Sequence, residues 1–83
     1  MEVKVGKITH FYDRIGVAVV VLSDDLKLGD TVHVVGRNTD INQQVQSMEI
    51  EHNKIQEGKK GQEVALALNA PARKGDKIFK VLE

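Results

Sequence analysis

Residues 17–22 read Val-Ala-Val-Val-Val-Leu, the longest apolar run in the 83-residue chain. β-Branched side chains favour strands because they pack well on a pleated surface. Successive side chains of a strand point to opposite faces, so the three odd-numbered valines share one face and Ala18, Val20 and Leu22 share the other. Both faces are apolar. We therefore expect a strand buried on both sides, as in a barrel wall covered by a loop or a partner.

The N-terminal segment changes its strand phase at a glycine. Val3 and Val5 share one phase, whereas Ile8 and His10 share the opposite one, and the switch falls at Gly6. A glycine at such a position is typical of a β-bulge or of a close backbone approach.

Three further segments favour strands. Residues 31–35 are rich in valine and end at Gly36, residues 64–68 alternate large and small apolar side chains, and residues 78–82 supply a last strand. Alternation of large and small side chains is what the interior of a small barrel requires.

The segment at residues 41–55 is more polar and admits two interpretations. Its Gln, Glu, Met and Lys residues favour a helix at residues 42–54. The apolar residues do not keep a helical spacing, however, so we predict a strand at residues 44–51 that follows a loop at residues 38–42.

A short phrase occurs twice, as Lys-Leu-Gly-Asp at residues 27–30 and Arg-Lys-Gly-Asp at residues 73–76. Glycine allows a positive φ in a tight turn, and Asp can accept hydrogen bonds from nearby backbone N–H groups. Each phrase therefore predicts a turn that leads into a strand.

Composition indicates one globular domain over residues 1–83. Apolar residues make up 41% of the chain and charged residues 29%, while 12 Lys and Arg balance 12 Asp and Glu. The chain has no cysteine, no signal-like N-terminus and no apolar run long enough to span a bilayer. We expect a cytoplasmic protein without membrane contact.

Four stretches, at residues 26–36, 45–50, 55–64 and 74–78, resemble motifs of the barrel that follows the GTPase domain in elongation factor Tu and other translational GTPases. They occur in the family's order and spacing. The resemblance implies a small closed antiparallel Greek-key barrel of six or seven strands, here without its GTPase domain. It also implies a role in protein biosynthesis as a module that binds tRNA, rRNA or the ribosome.

Two features bear on the RNA site that the resemblance implies. Glu49 aligns with the family glutamate that lies beside the terminal adenosine of tRNA. Residues 10–16, in contrast, replace the family's usual Gly-Arg-Gly entry to the second strand.

The segment at residues 10–14 holds two of the three aromatic residues, Phe11 and Tyr12, next to Arg14. Aromatic rings stack on bases and Arg pairs with phosphate, so these three are candidate RNA-binding residues. The alternative for Phe11 is a place in the core.

A second candidate RNA-binding group is basic. It comprises Lys54, Lys59, Lys60, Arg73 and Lys74, which would share one rim if their turns are neighbours. The alternative is a set of solvated surface charges.

Catalytic and cofactor motifs are missing from the sequence. Residues 58–61 read Gly-Lys-Lys-Gly, which is not a phosphate-binding P-loop, and His10, His33 and His52 do not follow a metal-ligand spacing. We expect no enzymatic activity, no cofactor and no metal.

The balanced charge disfavours generic RNA binding, which depends on a basic excess. The main alternative function is therefore an accessory barrel that contacts a separate protein and no RNA, like those at the end of collagenase-like peptidases. A barrel like that of the H/ACA pseudouridylation particle is a third possibility whose motifs match less well.

Overall fold

In the computed structural model, which describes residues 1–82, the chain forms ten strands joined by turns. They are β1 (Glu2–Tyr12), β2 (Val17–Leu22), β3 (Leu26–Lys27), β4 (Thr31–Gly36), β5 (Thr39–Gln44), β6 (Met48–Ile50), β7 (Asn53–Ile55), β8 (Glu57–Gly58), β9 (Glu63–Ala67) and β10 (Lys77–Val81). No helix in residues 1–82 is long and apolar enough to cross a membrane. The expected all-β class is confirmed.

Eight strands form one antiparallel sheet in the order β5-β4-β10-β1-β2-β9-β6-β7, and β3 pairs with β8. The expected number of six or seven strands is too low, because β3, β7 and β8 are only two or three residues long and carry no readable periodicity. Within residues 1–82, no backbone ladder joins the edge strands β5 and β7. Backbone pairing alone therefore leaves the sheet open.

One face of the sheet encloses the core, and the other remains accessible. On β2, Ala18, Val20 and Leu22 are buried, whereas Val21 on the opposite face is 40% exposed. Within residues 1–82, therefore, no loop fully buries this second face, and its cover by a partner stays a prediction. The core consists of Val5, Ile8, Ala18, Val20, Leu22, Leu26, Val32, Val34, Ile41, Val45, Met48, Val64, Leu66, Leu68, Ala72 and Ile78.

Gly6 marks both a bulge and a close approach. The register between β1 and β10 shifts between Lys4 and Gly6. A Cβ atom at Gly6 would lie 2.5 Å from Val20 Cγ1 and 3.0 Å from the Val21 carbonyl oxygen. Only glycine fits at this crossing, so the expected role of Gly6 is confirmed.

The two Gly-Asp phrases form matching turns. In each, Oδ2 of the Asp accepts a 2.9 Å hydrogen bond from the backbone N–H three residues earlier, from Lys27 to Asp30 and from Arg73 to Asp76. The intervening glycines have φ of 89° and 95°. Both turns lead into strands, β4 and β10, as the sequence predicts.

The polar middle of the chain differs from its predicted structure. Residues 38–42 are not a loop, since β5 begins at Thr39. Residues 44–51 hold only the last residue of β5 and the three-residue strand β6. The buried face of β5 consists of Thr39, Ile41 and Gln43. Two of these three residues are polar, which hides the alternation that marks a strand. The helical alternative is also wrong.

Candidate functional site

The accessible face of β2 continues onto β9 and β6. Val19 pairs with Ala65, Ala65 pairs with Glu49, and Val17 pairs with Ala67. Paired residues on neighbouring strands project from the same face of a sheet. These side chains therefore form one surface on the side opposite the core.

This surface is concave because the central side chains that β9 contributes to it, Ala65 and Ala67, are small. Ala65 and Ala67 form the floor, while Tyr12 and Ile15 belong to the β1–β2 hairpin that borders it. We call this feature the outer groove; its twelve lining residues are Tyr12, Ile15, Val17, Val19, Ser47, Glu49, Glu51, His52, Glu63, Val64, Ala65 and Ala67. Its volume of about 540 Å³ is within the range of binding pockets.

Large apolar side chains are exposed around the outer groove. Tyr12 is 48% exposed and Ile15 is 69% exposed, and Val21 lies two residues beyond Val19 on the same face of β2. An exposed apolar patch with a polar rim is a candidate interaction site.

The polar part of the groove lining is acidic. Glu49, Glu51 and Glu63 line the groove, and its lining contains no lysine or arginine. The neighbouring cations are one strand away, since Lys54 pairs with Glu49 and Lys7 pairs with Val21. The groove therefore combines an apolar floor with a negatively charged rim.

The β6–β7 turn at this rim is strained. Ile50 pairs with Asn53, which leaves Glu51 and His52 as a two-residue loop with φ of 50° and 67°. Left-handed backbone costs about 1–2 kcal/mol per residue that has a Cβ atom. Such strain often accompanies functional sites, and both side chains here line the outer groove.

The three candidate RNA-binding residues of the segment at residues 10–14 lie in different environments. Phe11 is half-buried and packs against the core, as in its alternative interpretation. Tyr12 lines the outer groove, and its ring centroid lies 4.3 Å from that of His10. Arg14 is exposed in the β1–β2 turn. Of this segment, Tyr12 alone joins Glu49 in the lining.

The basic candidates lie at opposite ends of the β1–β2 hairpin. Beyond the end of β2, Lys59 Nζ is 3.9 Å from Asp25 Oδ2, and the Lys60 N–H donates to Asp25 Oδ1 at 3.0 Å. Arg73 lines a small cavity with the β1–β2 turn, and the exposed Lys74 follows it. Because these turns are not neighbours, the four cations do not share a rim.

Two charged clusters lie outside the groove lining. His33 is 2.6 Å from Asp40 and 2.9 Å from Glu2, and hydrogen bonds to Asp40 and then Glu2 raise the pKa of His33. The side-chain hydrogen bond between Lys59 and Glu57 likewise raises the pKa of Lys59. Within residues 1–82, no three His, Asp or Glu side chains are grouped to hold a metal ion.

Most groove residues escape detection from the sequence. Val17, Val19, Ala65 and Ala67 look like ordinary strand residues. The rim residues Glu51 and His52 belong to no motif, and Glu63 lies in the stretch at residues 55–64 without being a candidate site residue there. The one usable signal is the small side chains at alternate positions of residues 64–68. That pattern marks a hollow only once the register joins β9 to β2 and β6.

Comparison with solved structures identifies the same fold in the C-terminal domain of a Geobacillus thermoleovorans protein assigned to the U32 peptidases. Its crystal structure matches with a TM-score of 0.88 at 18% identity, over 94% of this chain and 91% of that domain. The selenomethionine variant of that domain matches with a TM-score of 0.86 at 18% identity, over 92% of this chain and 96% of that one.

Among curated proteins, an uncharacterized protease of Methanocaldococcus jannaschii is 35% identical over 83 residues, 99% of this chain. The chain spans only 20% of the length of that relative. No family model matches the chain.

These matches overturn the resemblance to translational GTPases, and with it the expected role in protein biosynthesis. The glycines of the motifs that suggested it have structural roles. Gly29 and Gly75 adopt positive φ in turns. Gly58 packs closely against the core, since a Cβ atom there would lie 2.6 Å from Leu22 Cδ1. Such motifs report strand entries and close packing, which unrelated proteins with this fold can share. The comparisons instead indicate similarity to a peptidase-associated C-terminal domain.

Proposed function

We propose that this chain is a non-catalytic accessory domain of a peptidase-related protein, and that the outer groove docks an extended segment of another protein. The observation that carries the proposal is the half-buried apolar floor of Val17, Val19, Ala65 and Ala67, which opens onto the outer groove beside an acidic rim. The likeness to the C-terminal domain of a U32 peptidase and to an archaeal protease supports the peptidase association.

The size of the outer groove favours a segment over a folded domain. Twelve residues line it, whereas a standard protein–protein interface uses roughly 20–30 residues on each side. An extended peptide can place alternate side chains into a hollow of this kind.

The charge of the groove favours a protein segment over nucleic acid. Phosphate binding depends on clustered Lys and Arg, and here Glu49, Glu51 and Glu63 occupy the lining instead. The Lys59 ammonium lies near the carboxylates of Asp25 and Glu57, which reduce its attraction for phosphate.

Catalysis would reside elsewhere in the larger protein. The relative is about five times as long as this chain, since the match covers 20% of it, which is ample room for a separate catalytic domain. The cytoplasm is the location we propose, because the chain has no cysteine with which to form the disulfides common in secreted domains of this size.

The finer geometry that we propose is a barrel closed by side chains. Gln43 on the edge strand β5 donates from Nε2 to the Ala67 carbonyl oxygen at 3.0 Å, and its Oε1 accepts from the Asn69 N–H at 2.7 Å. Such links would keep the floor of the groove rigid.

The docking proposal is tested by titrating the ¹⁵N-labelled chain with reduced, carbamidomethylated lysozyme, a permanently unfolded protein. We expect amide shifts at Val17, Val19, Ala65 and Ala67, and we expect Ala65→Leu to weaken binding by filling the hollow. Ala70→Leu is the matched control, because Ala70 is exposed and lies outside the groove lining. Binding that is unchanged in Ala65→Leu, or that tRNA competes away, would overturn the proposal.

A further inference from the structure

We infer that the segment docked in the outer groove carries branched aliphatic side chains flanked by lysine or arginine. This inference rests on the docking function proposed above and specifies the chemistry of the partner. It follows from the shape of the floor, the charge of the rim and the fixed geometry of the β6–β7 turn.

The floor selects aliphatic side chains. Ala65 and Ala67 present only methyl groups, and Val17 and Val19 flank them across the β2–β9 ladder. Side chains from a partner can fill the hollow above the alanines and remove the exposed apolar surface of all four residues from water. The floor itself offers the partner's central residues no polar side chain, which disfavours polar side chains at the centre of the segment.

The rim selects cationic flanks because its carboxylates lie on different sides of this floor. Glu63 begins β9 and pairs with Val21, Glu49 lies on β6 opposite Ala65, and Glu51 forms the tip of the β6–β7 turn. A segment that lies across the floor therefore comes near a carboxylate at more than one side of the groove. At these positions its lysine or arginine residues would be attracted, and its Asp or Glu residues repelled.

The two neighbouring lysines do not cancel this charge. Lys54 pairs with Glu49 across the β6–β7 ladder and offsets part of its charge, and Lys7 lies on β1, beyond Val21. Neither lines the groove. The carboxylates of Glu51 and Glu63 are both on exposed residues, and we expect these two to contribute most to the preference.

The strained turn places Glu51 at the rim of the outer groove. Glu51 and His52 both have positive φ, although an Asn-Gly pair would form the same two-residue loop without strain. The present residues give the turn two groove-lining side chains in exchange. Side chains that line the groove at the cost of backbone strain are consistent with a role of this turn in recognition.

The experiment compares three synthetic peptides with the same Val-Leu-Val centre and flanking pairs of Lys, Ser or Glu, titrated into the ¹⁵N-labelled chain. We expect the Lys-flanked peptide to bind at least about tenfold more tightly than the Glu-flanked one at low salt, with shifts at the groove residues. The difference should shrink in about 0.5 M salt, which screens exposed charges. Glu51→Gln combined with Glu63→Gln should remove most of it, whereas Glu57→Gln, outside the groove, should not.

The outcomes separate this inference from the docking function. Equal binding of all three peptides at the groove would overturn the charge preference and leave docking intact, as would tighter binding of the Glu-flanked peptide. If none of the three peptides shifts the groove residues at millimolar concentration, both the inference and the proposed function fail.

Discussion

Gln43 on β5 donates a 3.0 Å hydrogen bond to the carbonyl oxygen of Ala67, the last residue of β9 and part of the groove floor. The two strands are five positions apart in the order of the sheet. The sheet must curl strongly to bring them together, so a single buried amide links its edge to the strand beneath the candidate site.

Gln43→Ala should therefore destabilise the fold more than a typical polar substitution. It leaves the part-buried Asn69 N–H and Ala67 carbonyl without this partner, at a cost of roughly 1–3 kcal/mol. Each kcal/mol of lost stability lowers the melting temperature of a domain of this length by about 4–8 °C. Thermal unfolding followed by circular dichroism measures it, with Gln44→Ala at the exposed neighbouring position as the control. Equal melting temperatures for the two variants would contradict the linking role.

A substitution in the β6–β7 turn should stabilise the fold. Replacing Glu51 and His52 by Asn and Gly should raise stability by about 1 kcal/mol, because Asn-Gly adopts positive φ with little strain. The same double variant should bind the unfolded protein and the Lys-flanked peptide more weakly, since it removes two groove-lining side chains. Denaturant melts and the peptide titration check the two effects. A variant with unchanged or lower stability would show that the turn is not strained.

The His33 cluster should make stability depend on pH. Hydrogen bonds to Asp40 and Glu2 raise the pKa of His33 above its ordinary value of 6.5, so the folded state binds the proton more tightly than the unfolded chain. This contribution is fully present below about pH 6.5 and is lost as pH rises through the pKa of the folded state. We expect the melting temperature of the parent protein, relative to His33→Gln, to fall over that window. A difference that is constant with pH would contradict the assignment.

The strands rich in β-branched residues could be predicted from the sequence, and the polar ones could not. Residues 17–22, 31–35 and 64–68 carry their own alternation, and the two Gly-Asp phrases mark the turns before β4 and β10. Strand β5 is not predictable in this way because Thr39 and Gln43 occupy its buried face, where hydrogen bonds to distant partners satisfy them. Those partners cannot be read from local sequence.

The candidate site was only partly predictable for a related reason. Tyr12 is recognisable as an aromatic residue and Glu49 as a motif residue, and both line the groove. The RNA role expected of Glu49 depends on the mistaken family resemblance, whereas that of Tyr12 depends on the stacking of aromatic rings on bases. The groove itself depends on the register that aligns Val19, Ala65 and Glu49 across three strands. Register is set by the whole sheet, so composition and spacing along the chain do not reveal it.

The central claim is that a protein segment docks on the outer face of β2, β9 and β6. Intermolecular nuclear Overhauser effects between an unlabelled Lys-flanked peptide and ¹³C-labelled methyl groups of the chain test it most directly. We expect cross-peaks to the methyl groups of Val17, Val19, Ala65 and Ala67. Cross-peaks confined to Val35, on β4, or to other methyl groups outside the outer groove would contradict it.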